Sequence, residues 1–217
     1  YVTLFDNSKI GPPTRSTGVG ADITGLKEGD TVTVEFALAG QRFIAINGGP
    51  DFTFTPAISL LVSCGMEEEV DRLWNELSSG RVLIDLSSYP FSERYGWMQD
   101  RYGLSWQIMY TKSEIPQKIV PSLMFTGEQA GKAEEAIRFY TSIFRNTATG
   151  GIFRYEKGEE PDREGTVKYA GFTLEGQQFA AMDSALEHDF TFNEAVSLMV
   201  ECQDQREIDY YWDKLTG

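Results

Sequence analysis

Apolar residues recur along this chain with two periods, and the changes from one to the other mark its elements. Ile119 to Phe125 is a short apolar run of strand length. Lys132 to Phe144 places Ala133, Ala136, Ile137, Tyr140, Ile143 and Phe144 at helical spacing, which predicts a helix with one apolar face. Gly150-Gly151 then interrupts the pattern. Ile152 to Tyr155, Val167 to Leu174 and Gln178 to Met182 predict three strands, the last two joined by a tight turn at Glu175-Gly176. Ala195 to Cys202 predicts another strand. Gln203 to Leu215 predicts a helix with Asp204 as N-cap and Ile208, Tyr211, Trp212 and Leu215 on one face. In the first half, Ala57 to Cys64, Arg81 to Leu86, Gly96 to Gln99 and Leu104 to Tyr110 read as strands. The unit that emerges is strand–helix–strand–strand–strand, used in series.

The two halves also repeat each other. Phe36-Ala37-Leu38-Ala39-Gly40-Gln41-Arg42-Phe43 answers Phe172-Thr173-Leu174-Glu175-Gly176-Gln177-Gln178-Phe179, and Asp51-Phe52-Thr53-Phe54 answers Asp189-Phe190-Thr191-Phe192. Ser59, Cys64, Trp74 and Leu77 answer Ser197, Cys202, Trp212 and Leu215. A repeat of this length is a whole folding unit, longer than a solenoid period. The expectation is an α+β chain of two modules, 1–110 and 118–217, joined by a linker at 111–117 that contains Pro116. Tyr1 to Asn7 matches Tyr140 to Asn146. The first copy is therefore expected to lack its opening strand and most of its first helix, and the second its last three strands, as in a piece of a longer protein.

Composition narrows the partners. The 217 residues carry 19 basic and 33 acidic side chains, a formal charge of −14. That argues against nucleic acid or an anionic membrane as the partner, because phosphate neutralisation needs a basic face. Cys64 and Cys202 occupy equivalent positions and read as small buried hydrophobes, not as a disulfide framework; a cytoplasmic setting is expected.

Several stretches resemble one family. Gly40-Gln41-Arg42-Phe43-Ile44-Ala45-Ile46-Asn47-Gly48-Gly49-Pro50, Glu69-Val70-Asp71-Arg72-Leu73-Trp74, Tyr95-Gly96-Trp97, Asp100-Arg101-Tyr102-Gly103-Leu104-Ser105-Trp106-Gln107 and Ala136-Ile137-Arg138-Phe139-Tyr140 are similar to the PhnB-like branch, labelled 3-demethylubiquinone-9 3-methyltransferase, of the glyoxalase, bleomycin-resistance and dioxygenase (vicinal oxygen chelate) superfamily. The resemblance implies tandem βαβββ units that close cups around small molecules. It also implies modules that pair, within the chain or as a homodimer. In metal-bearing relatives, His, Glu or Gln on the first, fourth, fifth and eighth strands hold a divalent ion.

Those ligands are largely replaced here. The strand around Ser122 has no His, Asp or Glu; the fourth strands carry one acid, Asp183; the fifth carry only Glu201; the eighth carries Gln107. The single histidine, His188, lies in a two-residue insertion without a counterpart in the first copy and reads as a solvated loop residue. No cofactor is expected. A weak divalent site around Gln107, Asp183 or Glu201 stays open as the alternative, and with it a metal-dependent lyase, isomerase or dioxygenase. Methyl transfer is not supported: Gly18-Val19-Gly20-Ala21 follows no buried strand, as a nucleotide-type loop must. One histidine also rules out a Ser-His-Asp arrangement in both modules. The favoured reading is a protein that binds a small organic molecule, with pocket candidates Asn47, Ser59, Trp97, Trp106, Gln107, Asp183 and Ser197. Trp74 and Trp212 are expected in the core, Phe52, Phe54, Phe190 and Phe192 as a barrel plug, and Asp100-Arg101-Tyr102-Gly103 as a turn with a local ion pair.

Overall fold

The structure is a computed structural model that describes residues 1–19 and 25–217. Part of the Gly18–Ala21 stretch therefore lies outside the described residues. Eleven strands are described: β1 (Lys9–Arg15), β2 (Thr31–Leu38), β3 (Gln41–Ile46), β4 (Ile58–Cys64), β5 (Val82–Tyr89), β6 (Ser92–Gln99), β7 (Ser105–Tyr110), β8 (Ile119–Phe125), β9 (Ala148–Arg154), β10 (Val167–Leu174) and β11 (Gln177–Asp183). Three α-helices accompany them: α1 (Glu67–Leu77) after β4, α2 (Ala133–Ile143) after β8, and α3 (Gln205–Thr216). The orders β4-α1-β5-β6-β7 and β8-α2-β9-β10-β11 are βαβββ units, and the class is α+β. No helix among the described residues is long and apolar enough to cross a membrane.

The chain forms two compact units, one of residues 1–54 and 60–119, the other of 55–59 and 120–217. The first unit holds a three-stranded sheet in the order β1-β2-β3 and a run of strands in the order β5-β6-β7-β4. Helix α1 lies on β6 and β7. Its Val70, Leu73 and Leu77 join Val62, Cys64, Met98, Trp106 and Ile108 in one core. Three glutamates open α1, where the helix dipole favours negative charge. The second unit orders its strands β8-β11-β10-β9. Helix α2 covers β10 and β11, and Ile137 joins Leu123, Ala170, Phe172 and Phe179 in a second core.

The repeat is visible in geometry. Ala39-Gly40 and Glu175-Gly176 both turn with positive φ, 50° and 82° in one, 49° and 77° in the other, the type I′ signature of a two-residue hairpin. In each copy an asparagine with positive φ, Asn7 or Asn146, accepts from that turn glycine's N–H. Phe36 stacks on Phe43 and Phe172 on Phe179, both at 5.5 Å between ring centroids.

Three expectations are corrected. Gly150-Gly151 does not interrupt a strand but lies inside β9, where the pair stands opposite Gly171 in a register shift. A Cβ on Gly150 would sit 3.0 Å from the Gly171 carbonyl oxygen, a close approach that marks a bulge and not a break. Gly11 repeats the contact with Glu35 at the same distance in β1. Second, Ala195 to Cys202 forms no strand. Its counterpart β4 lies beside β7, whereas the backbone groups of 195–202 find no ladder among the described residues. Third, Trp212 is 68% exposed, while Trp74 packs against the core with its ring over Gly96 of β6. Cys202 is half-buried, where Cys64 is fully buried and its thiol is pushed up to about 12 by that burial.

Candidate functional site

Strands β6 and β7 pair Trp97 with Gln107 and Met98 with Trp106. Because side chains alternate across a sheet, neighbours in sequence face opposite ways. Gly96, Met98, Trp106 and Ile108 look toward α1. Tyr95, Trp97, Ser105 and Gln107 occupy the other face, and all four are buried.

The polar atoms of that second face are matched in pairs. The Tyr95 hydroxyl donates to Gln107 Oε1 at 2.8 Å, and the Trp97 indole N–H donates to Ser105 Oγ at 2.7 Å. Tyr89 and Phe91 set their ring edges and faces against Tyr95, and Phe91 is exposed at the rim. Burial raises the Tyr95 phenol above its ordinary value, so it stays neutral and remains a donor. A glutamine amide beside a neutral phenol can hold a polar, uncharged group; neither takes a proton at neutral pH.

Trp106, a candidate from the sequence, belongs to the opposite face. It is fully buried, stacks on Phe5, and donates its N–H to Asp100 Oδ2. Asp100 is buried as well. Its other bonds come from the backbone N–H of Tyr102 and Leu104 and from the Tyr1 hydroxyl, while the Arg101 guanidinium lies over the Tyr102 ring. The expected local ion pair is thus replaced by a carboxyl that ties the β6–β7 turn to the start of the chain.

The remaining candidates scatter. Asn47 is exposed at the end of β3, its amide nitrogen on the Thr31 carbonyl. Ser197 is exposed in the irregular stretch after residue 192. Asp183, at the end of β11, is buried and turned to the backbone: Oδ1 accepts from Gly131 and Ala133 N–H at the start of α2, and Oδ2 accepts from Val167 N–H. Ser59 is buried in the second unit. Met124 N–H donates to the Ala57 carbonyl, so two residues further along each antiparallel strand Ser59 comes opposite Ser122. Ser122 Oγ is buried with no hydrogen-bond partner.

Of the sequence candidates, then, Trp97 and Gln107 share one face. Tyr95, Ser105 and Ser122 were missed. Ser105 lies two residues from Gln107 on a predicted strand, and Tyr95 lies two residues from Trp97, one position before the predicted strand Gly96–Gln99 and inside the observed one, so the alternation rule extended by one residue finds both. Phe52 and Phe54 are exposed and plug nothing in their unit, whereas Phe192 packs edge-on against Phe125. His188 is also not simply solvated: its Nε2 lies 2.8 Å from Ser184 Oγ and its ring 4.9 Å from Phe190. Burial lowers its basicity, outweighing Asp162 and Asp189.

The residues named as metal donors do not fit an ion. Gln107 Oε1 already accepts from Tyr95, both Asp183 oxygens accept from backbone N–H groups, and Glu201 is exposed. Among the described residues no three His, Cys, Asp or Glu side chains gather.

A model of the 3-demethylubiquinone-9 3-methyltransferase family matches residues 1–109 and again residues 117–217. The chain belongs to that family. It carries two tandem copies of the PhnB-like domain, as the duplicated hairpins and bulges already show. Similar solved structures include a PhnB protein from Bacillus cereus described as a 3-demethylubiquinone-9 3-methyltransferase, 42% identical over 51% of this chain and 85% of its own, with a TM-score of 0.46. A protein from Staphylococcus aureus is 28% identical over 51% and 80%, with a TM-score of 0.24. A glyoxalase I mutant from Zea mays is 10% identical over 71% and 56%, with a TM-score of 0.46. Among curated proteins none matches the chain.

Proposed function

We propose that this PhnB-like chain binds a small organic molecule against the Tyr95–Trp97–Gln107 face, with neither a catalytic metal of its own nor methyl transfer. The observation that carries the reading is the pairing on that face: a buried phenol on a buried amide, beside a buried indole on a buried hydroxyl. Broad aromatic surface with a few placed polar atoms is what small-molecule sites use. Against methyl transfer, Gly18 follows β1, whose residues are almost all exposed, and not the buried first strand of a doubly wound nucleoside-binding sheet.

The test is a thermal-shift screen of small aromatic amides, ketones and phenols on chelator-treated protein, followed by calorimetry. A ligand of the folded state raises the melting temperature. Loss of one hydrogen bond in Gln107→Ala should weaken a hit about tenfold, or roughly 1.4 kcal/mol. Hits insensitive to both Gln107→Ala and Tyr95→Phe would remove the face from the argument. Stoichiometric binding of Mn²⁺, Ni²⁺ or Fe²⁺ that Gln107→Ala abolishes would replace it with the metal-dependent reading.

A further inference from the structure

The direction of one proton sets what the β6–β7 face can accept. The Tyr95 hydroxyl donates to Gln107 Oε1 at 2.8 Å, so its proton is committed to the amide and its oxygen lone pairs are what it still offers. The Trp97 indole N–H is committed in the same way to Ser105 Oγ at 2.7 Å. At Tyr95 the face therefore presents an acceptor, and the group that complements it is a donor.

The surroundings hold no cation for an anionic ligand. Met109 stands opposite Tyr95, and Gln99 opposite Ser105. Leu60 and Val62 of β4 join the core under α1, so Leu61 between them, also buried, turns to the other face. β4 and β7 contain no charged residue, β5 contains only Asp85, and β6 only Glu93 and Arg94. Arg94 pairs with Asp71 of α1, Glu93 pairs with Lys112 in an exposed pair, and Asp85 is exposed on the edge strand. Tyr89 is the titratable group set against the Tyr95 ring. An anion moved into this setting loses its hydration and gains no partner. It also has no proton left to give Tyr95.

On the ligand face proposed above, on which this inference rests, we infer that the ligand is a neutral aromatic molecule that donates an O–H or N–H to Tyr95 Oη: a phenol, lactam or anilide in its uncharged form. Gln107 is the positioning residue that keeps Tyr95 an acceptor. Burial raises the Tyr95 phenol above its ordinary value, so the pH dependence of binding belongs to the ligand.

Three probes are titrated onto the full chain by calorimetry: 4-nitrophenol, which ionises near neutral pH; 4-methylphenol, which ionises near the tyrosine value of about 10; and 4-nitroanisole, which has no proton to donate. 4-Nitrophenol should bind at least tenfold more weakly at about pH 9 than at about pH 6, while 4-methylphenol binds alike at both. 4-Nitroanisole should bind about tenfold more weakly than 4-nitrophenol at the lower pH. Saturating protein at neutral pH should also bleach the phenolate absorption of 4-nitrophenol, because a site that prefers the protonated form raises the ligand's pKa. In Gln107→Ala the Tyr95 proton is released toward the ligand, so the phenol–anisole difference and the pH dependence should both shrink. Equal loss for all three probes in that variant overturns the positioning role. No binding of any probe, or binding that Tyr95→Phe and Gln107→Ala leave untouched, removes the ligand face and this inference with it. Binding that depends on Tyr95 but takes the phenolate or 4-nitroanisole as well as neutral 4-nitrophenol overturns this inference alone, since Tyr95 then donates to the ligand.

Discussion

At the scale of single residues, Asp183 is the clearest case of a polar group whose role is set by what reaches it from far along the chain. Its two oxygens accept from three backbone N–H groups, those of Gly131, Ala133 and Val167, in a buried setting. Removing an acceptor from a buried donor costs about 1–3 kcal/mol, because the donor has lost water as well as its partner. Asp183→Ala should therefore lower stability by roughly 3 kcal/mol, with Asp183→Asn milder, as read from urea unfolding midpoints. A change under a few tenths would mean that water replaces the carboxyl. His188 gives the second prediction. Burial lowers its folded-state pKa below the unfolded value of about 6.5. The unfolded chain then binds more protons near and below that pH, so stability is full above it and falls as pH drops. His188→Gln should flatten the fall between about pH 7 and pH 5 relative to the parent chain. An unchanged slope would place the acid sensitivity elsewhere.

Elements show what a local pattern can and cannot specify. The hairpin turn at Glu175-Gly176, helix α2 and the Asp204 cap of α3 were legible because each depends on residues a few positions apart; Asp204 Oδ1 accepts from Glu207 N–H, as the sequence predicts. Gly150-Gly151 was not legible, because a glycine that ends a strand and one that lets a neighbouring backbone approach look alike until the partner strand is known. Ala195 to Cys202 failed for the same kind of reason: a strand is completed by its neighbours. Of the candidate face, Trp97 and Gln107 were readable from their strands, but the roles of Asp183 and Trp106 depend on contacts with Gly131 and Phe5 that no local pattern holds. The α1–β6 contact offers a sharp test. A Cβ on Gly96 would lie 2.2 Å from Cζ3 of Trp74, so Gly96→Ala must push the indole off its seat. Overpacking of this kind costs about 1–3 kcal/mol. The double variant Gly96→Ala, Trp74→Ala should lose less than the two single losses added together, since both remove one contact. Additive losses would show that the indole does not bear on Gly96.

For the whole molecule, duplication sets equivalent residues in unequal surroundings, and the two helix tryptophans report the inequality directly. Trp74 of α1 is seated on β6 against the first core; Trp212, its equal in the repeat, stands 68% exposed on α3. Trp97 and Trp106 are buried, so of the four tryptophans Trp212 alone is broadly open to solvent. Acrylamide quenching of the native chain should then resolve a small accessible fraction, red-shifted as an indole in water is, beside a large shielded one. Trp212→Phe should remove the accessible fraction and leave stability within about 0.5 kcal/mol, because an exposed side chain away from caps and cores contributes little. Trp74→Phe should do the reverse, with little change in quenching and a loss of about 1–3 kcal/mol from a large side chain packed against a core. If Trp212→Phe leaves the quenching curve unchanged, α3 is covered in solution. The second copy would then share the surroundings of the first.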